Sequence, residues 1–234
     1  MFQLDIDEAS FAWHGDAAEA RQRQKALAER VRLGDDFGPV NCVAGVDVGF
    51  EEGGAVTRAA AVLLKADTRQ LIGQALVRQP TVMPYVPGLL SFRELPALIA
   101  ALQQLDQRPD LVFVDGHGIA HPRRLGIAAH LGVATDLATI GVAKKVLCGR
   151  HEALAEMRGA QVPLLHRGER IGTVLRSKHR VRPLIVSPGH RLSHDTAVAQ
   201  VLAFDGGYRL PEPTRLADRL ASRRGPLPDS GSSR

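Results

Sequence analysis

Residues 111–121 read Leu111-Val-Phe-Val-Asp-Gly-His-Gly-Ile-Ala-His121. The apolar run at its start is typical of a buried parallel strand. Asp115 follows that run directly, and open α/β sheets bind ligands at the carboxyl ends of their strands. Asp115 is therefore the first candidate for a functional residue. An aspartate beside Gly116 and Gly118 is also typical of an ordinary turn, so this simpler interpretation stays open.

A second acidic residue lies inside an earlier strand pattern. Residues 43–50 read Val43-Ala-Gly-Val-Asp-Val-Gly-Phe50, and period-two alternation places Asp47 on the same face as Gly45 and Gly49. Aspartate is disfavoured in strands, and burial of an unpaired carboxylate is costly. The glycines leave space beside it for a metal ion or a phosphate backbone. The alternative is an edge strand on which Asp47 faces water.

The order of the remaining elements predicts an α/β fold. Two strands over 58–65 and 71–78 complete an antiparallel meander, and helices then alternate with the strands at 111–114 and 139–143. Three antiparallel strands followed by parallel strands, in a mixed sheet flanked by helices, form the layout of an RNase H-like domain. Carboxylates on neighbouring strands repel each other unless a cation lies between them, and oxygen ligands favour Mg²⁺ or Mn²⁺.

The flanking segments extend this domain. We predict an amphipathic N-terminal helix over 16–33, a late hairpin formed by 171–176 and 183–186, and a turn at Ser187-Pro-Gly-His190. Further helices start near Ser193 and at Pro211. We expect a single domain over residues 1–222, with a disordered Ser/Gly/Pro-rich tail over 223–234.

Composition restricts the class of protein. The chain has 234 residues, 44% of them hydrophobic, which is enough for a sizeable core. Its formal net charge of +5 favours a polyanionic partner. The two cysteines, Cys42 and Cys148, lack the spacing of a structural zinc site and are expected to be free thiols. The sequence has no secretory signal pattern and no long apolar span, so we expect a soluble cytoplasmic protein with no membrane partner.

The loop over 81–93 contains two prolines that stiffen the backbone around Tyr85. A rigid loop with an aromatic tip can wedge between stacked bases, although such loops more often pack as a small extension of the core. The following residues, Ser91-Phe-Arg-Glu94, fit a capping box that would give Glu94 a structural role. Pro96 favours instead a helix that starts nearer to Glu94.

Two pairs of polar residues accompany the acids. His117 and His121 have a spacing that could bind zinc on a helix, but neighbouring glycines and a proline argue against a helix, and a third ligand is missing. Lys144 and Lys145 follow the 139–143 strand. Paired lysines there are usually part of a solvated turn, yet at the sheet edge that holds Asp115 one of them could contact a phosphate.

Six stretches, in unbroken order between about residues 43 and 218, closely resemble motifs of the endonuclease V family, the deoxyinosine 3′ endonucleases. Several long motifs in register are far more specific than any one of them. The stretches are Val43-Ala-Gly-Val-Asp-Val-Gly-Phe50, Met83-Pro-Tyr-Val-Pro-Gly-Leu-Leu-Ser-Phe-Arg-Glu94, Asp115-Gly-His-Gly118, His121-Pro-Arg-Arg-Leu-Gly-Ile-Ala128, Ile140-Gly-Val-Ala-Lys-Lys145 and Tyr208-Arg-Leu-Pro-Glu-Pro-Thr-Arg215.

The resemblance implies an activity and a catalytic site. The family cleaves the second phosphodiester bond 3′ to a deaminated base, chiefly hypoxanthine, and leaves 3′-hydroxyl and 5′-phosphate ends. Asp47, Glu94 and Asp115 then fall on the acidic metal-site positions for Mg²⁺, with Mn²⁺ as a substitute, and Lys144 falls on the catalytic lysine. Asp218 lies where the family has His or Asp near the metal; it either supports the metal ligands from outside or is an exposed helix acid.

The resemblance also implies how nucleic acid is bound. Pro84, Tyr85, Val86 and Pro87 match the family's wedge, with Val86 in place of isoleucine. A flipped base would enter a pocket resembling the family's. His121 either contacts the base or makes a structural bond in its turn. The pocket residues are Tyr85, Gly88, Leu90, Gly116, His121, Gly126, Ile127 and Leu147.

The expected partner is DNA that contains deoxyinosine or another deaminated base, bound by a monomer. Three alternatives stay open: cleavage of inosine-containing RNA, another RNase H-like nuclease activity, and a catalytically silent inosine or lesion binder. The wedge and pocket argue against the second alternative. A set of costly buried acids argues against the third, because a binding protein has no need of them.

Overall fold

The sheet begins with the antiparallel meander that the sequence predicts. In the computed structural model, which describes residues 2–222, the meander consists of β1 (Cys42–Glu51), β2 (Val56–Lys65) and β3 (Leu71–Pro80). The next strands, β4 (Leu111–Val114) and β5 (Ala138–Ala143), continue the sheet parallel to β1. The predicted RNase H-like order of antiparallel and then parallel strands is therefore confirmed.

Three antiparallel strands complete the sheet on the β5 side. They are β6 (Gln161–His166), β7 (Glu169–Leu175) and β8 (Leu184–His190). The full order of the eight strands is β3-β2-β1-β4-β5-β8-β7-β6. Pairing of β7 with β8 confirms the predicted late hairpin. The sequence analysis missed β6, which is a mostly exposed edge strand that contains Pro163, so its apolar pattern is weak.

Helices cover both faces of the sheet. They are α1 (Glu8–Phe11), α2 (Ala17–Ala28), α3 (Leu90–Gln103), α4 (Ile127–Thr135), α5 (His194–Ala203) and α6 (Glu212–Ala221), with a short 3₁₀ turn at Glu52–Gly54. On one face, α3 and α4 pack against β1, β2 and β4. On the opposite face, α5 and α6 pack against the central strands. In the described residues no helix is both long enough and apolar enough to cross a membrane.

Three local predictions are wrong: the capping box at Ser91, the helix start near Glu94 and the turn at residues 187–190. Helix α3 begins at Leu90, so Ser91 is inside the helix, no side chain caps it, and Pro96 lies in its interior. The fully buried Leu89 and Phe92 fix this start through tertiary packing, which overrides the capping signal. Residues 187–190 are strand rather than turn, because a register shift opposite Thr139 accommodates them in the β5–β8 pairing.

Other elements agree with the sequence more closely. Helix α2 begins after its Asp16 cap but ends at Ala28, earlier than predicted. Ser193 caps α5 through its hydroxyl, as expected. Both cysteines are free. The tail predicted over 223–234 lies outside the described residues.

Helix α6 rests directly on the backbone of β1. A Cβ atom at Gly45 would lie only 2.0 Å from the carbonyl oxygen of Pro213, in the first turn of α6. Only glycine allows this approach. The close contact places the rest of α6, including Asp218, over the strand that carries Asp47. The sequence analysis predicted that Gly45 leaves space for a ligand. In the structure, that space is occupied by α6.

We predict that Gly45→Ala lowers the free energy of unfolding by about 1–3 kcal/mol or more, since the new methyl group meets rigid backbone. Gly73→Ala on β3 is the matched control, because its Cβ would meet Leu63 at an ordinary 3.5 Å. Urea unfolding of both variants measures the difference. Equal stability of the two variants would contradict the proposed contact between α6 and β1.

Candidate active site

Three carboxylates converge at the carboxyl ends of the central strands. Asp47, Asp115 and Asp218 each offer an oxygen atom, and these atoms lie within 4.8 Å of one another. Asp47 is on β1, Asp115 follows β4, and Asp218 is on α6. The backbone N–H of Asp115 donates to the carbonyl oxygen of Val46 at 3.1 Å, which continues the β1–β4 pairing past the end of β4. Sheet pairing thus fixes the first two carboxylates beside each other.

The side chain of Lys144 lies between two of these acids. Its Nζ donates to Asp115 Oδ2 at 2.5 Å and to Asp218 Oδ1 at 3.0 Å. Lys144 follows β5, so adjacent parallel strands supply the two acids and the lysine. The guanidinium of Arg209 donates to the backbone oxygen of Lys144 at 2.9 Å and holds this turn. Lys144 is exposed, as a solvated turn predicts, and its ammonium group also contacts two of the acids.

Burial and charge shift the pKa values of Asp47, Asp115 and Lys144. Burial, followed by repulsion from Asp115, raises the pKa of Asp47 to about 8. Burial also raises the pKa of Asp115, although Lys144 opposes that shift. The pKa of Lys144 is raised, because attraction to Asp115 and Asp218 exceeds the effect of its own burial. Three converging carboxylates form a site that suits a divalent cation, which prefers such oxygen ligands.

The structure separates Glu94 from this group. Among the described residues, the carboxylates that meet the distance criterion for a common metal ion are those of Asp47, Asp115 and Asp218, without Glu94. Glu94 lies on α3 in the wall of the neighbouring cavity, and burial raises its pKa to about 7, with a smaller contribution from Asp115. The interpretation of Asp218 as an exposed helix acid is wrong, because its side chain is only 13% exposed.

An apolar cavity of about 290 Å³ adjoins the acids. Asp115 and Glu94 form part of its wall, so cavity and acidic cluster share a boundary. All eight residues predicted for the base pocket line it: Tyr85, Gly88, Leu90, Gly116, His121, Gly126, Ile127 and Leu147. The structure therefore brings that set together, and its role in binding a base stays a prediction.

Two helices begin at the cavity wall. Leu90 is the first residue of α3 and Ile127 the first of α4, and neither helix has a side-chain cap. Helix N-termini carry partial positive charge and backbone N–H groups that can donate hydrogen bonds. Gly126 allows the chain to pass close to its neighbour, since a Cβ there would lie 2.3 Å from the His117 carbonyl oxygen. The cavity therefore combines apolar walls with the positive ends of two helix dipoles.

The two histidines have different contacts. His121 is 4% exposed, and burial lowers its pKa to about 3, so its ring is neutral. Its Nδ1 accepts from the backbone N–H of Arg123 at 3.2 Å, which is the structural bond that the sequence analysis allowed. The ring of His117 contacts the Lys145 carbonyl oxygen at 2.9 Å. In the described part of the chain the two histidines are not in a metal-binding group, so the zinc alternative gains no support.

The proline-containing loop has an apolar underside and an exposed tip. Met83, Val86 and Leu89 pack with Trp13 and Phe92 beneath the loop. Tyr85 is 64% exposed, and its flanking prolines, Pro84 and Pro87, are exposed as well. The two interpretations offered by the sequence are therefore compatible, since one side of the loop belongs to the core while the other presents an aromatic ring.

Sequence reasoning missed Gln24. This residue lies on α2, is 1% exposed and lines the cavity. The available signal was its spacing from Ala20 and Leu27, which places a polar side chain in the buried stripe of an amphipathic helix.

Comparison with known proteins gives one family. A family model described as Endonuclease V matches residues 25–219. Endonuclease V of Azotobacter vinelandii is 66% identical over 212 residues, which cover 91% of this chain and 96% of that protein. The crystal structure of endonuclease V from Streptomyces avermitilis is 44% identical, covers 91% of this chain and 94% of that chain, and has a TM-score of 0.86.

A more distant structure contains nucleic acid. Endonuclease V of Ciona intestinalis, in complex with a 24mer DNA containing an inosine followed by a ribo-adenosine, is 26% identical. The match covers 88% of this chain and 96% of that chain, with a TM-score of 0.76.

We predict that Asp47→Asn stabilises the metal-free protein at pH 8 but not at pH 5. The pKa of Asp47 is raised from 3.8 to about 8 in the fold, so the native state holds a proton that the unfolded state loses. Stability must then fall as pH rises between these values, and asparagine removes that dependence while it can still accept from the Val48 N–H. We expect a relative gain of about 1–3 kcal/mol between pH 5 and pH 8.

Chemical unfolding in EDTA at both pH values measures this difference, and the comparison of variants cancels the contribution of the histidines. Asp106→Asn, at an exposed position, is the control. Addition of Mg²⁺ at pH 8 should stabilise the wild type more than Asp47→Asn. If Asp47→Asn changed the free energy of unfolding equally at both pH values, Asp47 would not be the group that makes stability fall between pH 5 and pH 8.

Proposed function

The chain belongs to the endonuclease V family, and we propose that it is a metal-dependent repair endonuclease acting on DNA that contains deaminated bases, chiefly deoxyinosine. In this proposal it hydrolyses the second phosphodiester bond 3′ to the lesion and leaves 3′-hydroxyl and 5′-phosphate ends. One observation carries the proposal: the Asp47–Asp115–Asp218 cluster shares a wall with an apolar cavity. A reacting phosphate and a flipped base can therefore be bound side by side.

The catalytic roles follow from the positions of the side chains. Asp47, Asp115 and Asp218 would hold Mg²⁺, or Mn²⁺ in its place, and Glu94, in the adjoining cavity wall, would contribute directly or through a water. A bound Mg²⁺ supplies an activated water and neutralises charge on the phosphate. The ammonium of Lys144, placed against Asp115 and Asp218, is available to donate to a phosphate oxygen as negative charge develops there.

Recognition of the base is supported by the chemistry of the cavity. Hypoxanthine carries a carbonyl oxygen where adenine carries an amino group, and the uncapped starts of α3 and α4 offer donors to such an oxygen. Inosine pairs weakly, so it is easier to unstack than a normal base. The exposed Tyr85, on its firmly packed loop, is placed to fill the gap that the flipped nucleotide leaves.

Inosine-containing RNA is the second candidate substrate. It is favoured by the Ciona intestinalis relative, whose bound strand has a ribonucleotide after the inosine. We further propose that residues 1–222 act as a single endonuclease domain, as a monomer in the cytoplasm. A catalytically silent binder is disfavoured, since it would keep three mutually repelling acids without use for them.

We predict that the wild type nicks an end-labelled duplex with one deoxyinosine at the second phosphodiester 3′ to it, with Mg²⁺ and not with EDTA. Asp115→Asn should lower the rate by about 100-fold or more, because a metal ligand is lost. Asp106→Asn should cleave normally. A cleavage map on a denaturing gel gives both position and rate, and a matching strand with a ribonucleotide after the inosine tests the second candidate. Binding without any nick would favour the silent binder.

We predict that Tyr85→Ala weakens binding to the deoxyinosine duplex by about tenfold, since stacking of one aromatic ring is worth about 1–3 kcal/mol. Val82→Ala, which shortens another exposed side chain of the same loop, is the matched control. Fluorescence anisotropy of labelled duplex measures both affinities. Equal affinities for the two variants would remove Tyr85 from the wedge.

A further inference from the structure

Gln24 joins three separate segments around the cavity. Its side-chain Nε2 donates to the Gly88 carbonyl oxygen at 3.1 Å and to the Leu125 carbonyl oxygen at 2.8 Å. Its Oε1 accepts a hydrogen bond from Nε of Arg123. Gln24 is on α2, and the family model match starts at residue 25, so it does not include this side chain. Both N–H donors of the Gln24 amide and one lone pair of its oxygen are therefore used in bonds to residues around the cavity.

Arg123 completes the arrangement. Its terminal guanidinium nitrogen donates to the Gly88 carbonyl oxygen at 2.7 Å. Gly88 has a φ of +78° and follows Pro87 in a turn that the Leu89 N–H closes onto the Val86 oxygen at 3.0 Å. A Cβ at Gly88 would lie 2.6 Å from the same guanidinium nitrogen, so the arginine is in close contact with the turn. We call Gln24 and Arg123 together the Gly88 clamp.

The clamp acts on the two places where helices begin at the cavity. Gly88 precedes the start of α3 by two residues, and Leu125 directly precedes Gly126 at the start of α4. The apolar anchor formed by Met83 and Leu89 fixes the depth of the loop, but apolar contacts do not orient a carbonyl group. The clamp therefore orients the Leu125 carbonyl group and, together with a hydrogen bond from the His121 ring, the Gly88 carbonyl group.

We propose that Gln24 and Arg123 are positioning residues that set how strictly the cavity selects hypoxanthine; this inference rests on the proposed function. Both carbonyl oxygens are engaged by the clamp, so neither is free to accept a hydrogen bond from a base in the cavity. Free acceptors would favour the amino group of adenine. Loss of the clamp releases the Leu125 oxygen, removes two of the bonds to the Gly88 oxygen and lets the turn reorient, which reduces the preference for inosine over adenine.

The test uses Gln24→Met, which keeps the approximate size of the side chain and removes its hydrogen bonds. Gln22→Met, at an exposed position on the same helix, is the matched control. Arg123→Met removes the second half of the clamp, and Arg123→Lys keeps a positive charge and a donor for Gly88. For each protein, single-turnover rates with excess enzyme and Mg²⁺ are measured on duplexes with deoxyinosine or deoxyadenosine at one position. The readout is the ratio of the two rates.

We expect Gln24→Met and Arg123→Met to lower the inosine-to-adenine ratio by about tenfold, the effect of one or two lost hydrogen bonds. Arg123→Lys should recover part of the ratio, and Gln22→Met should match the wild type. Trp13, the one tryptophan of the chain, packs beneath the loop, and its emission should stay unchanged because the apolar anchor is intact.

A ratio within twofold of the wild type in both clamp variants would overturn the inference, and so would equal losses on the two duplexes, which indicate a merely structural role. If Gln24→Met shifts the Trp13 emission or fails to fold, the same criterion applies to Arg123→Lys against Arg123→Met. A wild type that leaves the deoxyinosine duplex intact would refute the proposed function and this inference with it. A wild type that cuts, with variants that keep the ratio, refutes only the inference.

Discussion

Repulsion among three partly buried carboxylates is the constraint on which the rest of this structure depends. Left alone, Asp47, Asp115 and Asp218 would move apart or take up protons; burial, followed by repulsion from Asp115, raises the pKa of Asp47. The fold prevents separation by rigid means: paired strands hold the first two acids, and a helix seated against the β1 backbone holds the third. Lys144 balances part of the charge. Carboxylate oxygens gathered in this way are the ligands that a divalent cation prefers.

The same chain segment connects this cluster to the cavity. Asp115 faces the acids, while Gly116 and His117, the next residues, form cavity wall. The bond between the His117 ring and the Lys145 carbonyl oxygen links that wall to the turn that carries Lys144. Because the acidic cluster and the cavity share backbone, a base bound in the cavity and a phosphate bound at the acids would occupy fixed relative positions, as the proposed function requires. Such fixed placement is the main requirement for selective hydrolysis beside a single altered base.

The order of the strands could be predicted because it depends on local signals. Apolar runs of strand length, bounded by turns, mark β1, β2, β4 and β5 in the sequence, and short connections leave few alternative topologies. The errors occurred where tertiary packing overrides a local signal. The start of α3 is fixed by burial of Leu89 and Phe92, and residues 187–190 are strand because β5 lies beside them. A polar edge strand such as β6 has too weak a pattern to be found.

The sequence by itself determined that Asp47 lies within one strand and that Asp115 follows another, since the apolar pattern of a strand is a local property. Its motifs determined the family and the residues that line the cavity. The tertiary structure alone decided which acids meet. It places Asp218 with Asp47 and Asp115, leaves Glu94 on the cavity wall, and brings Gln24 to Gly88 and Leu125. Contacts between residues far apart in the chain depend on how the helices pack on the sheet, and no local sequence pattern encodes that packing.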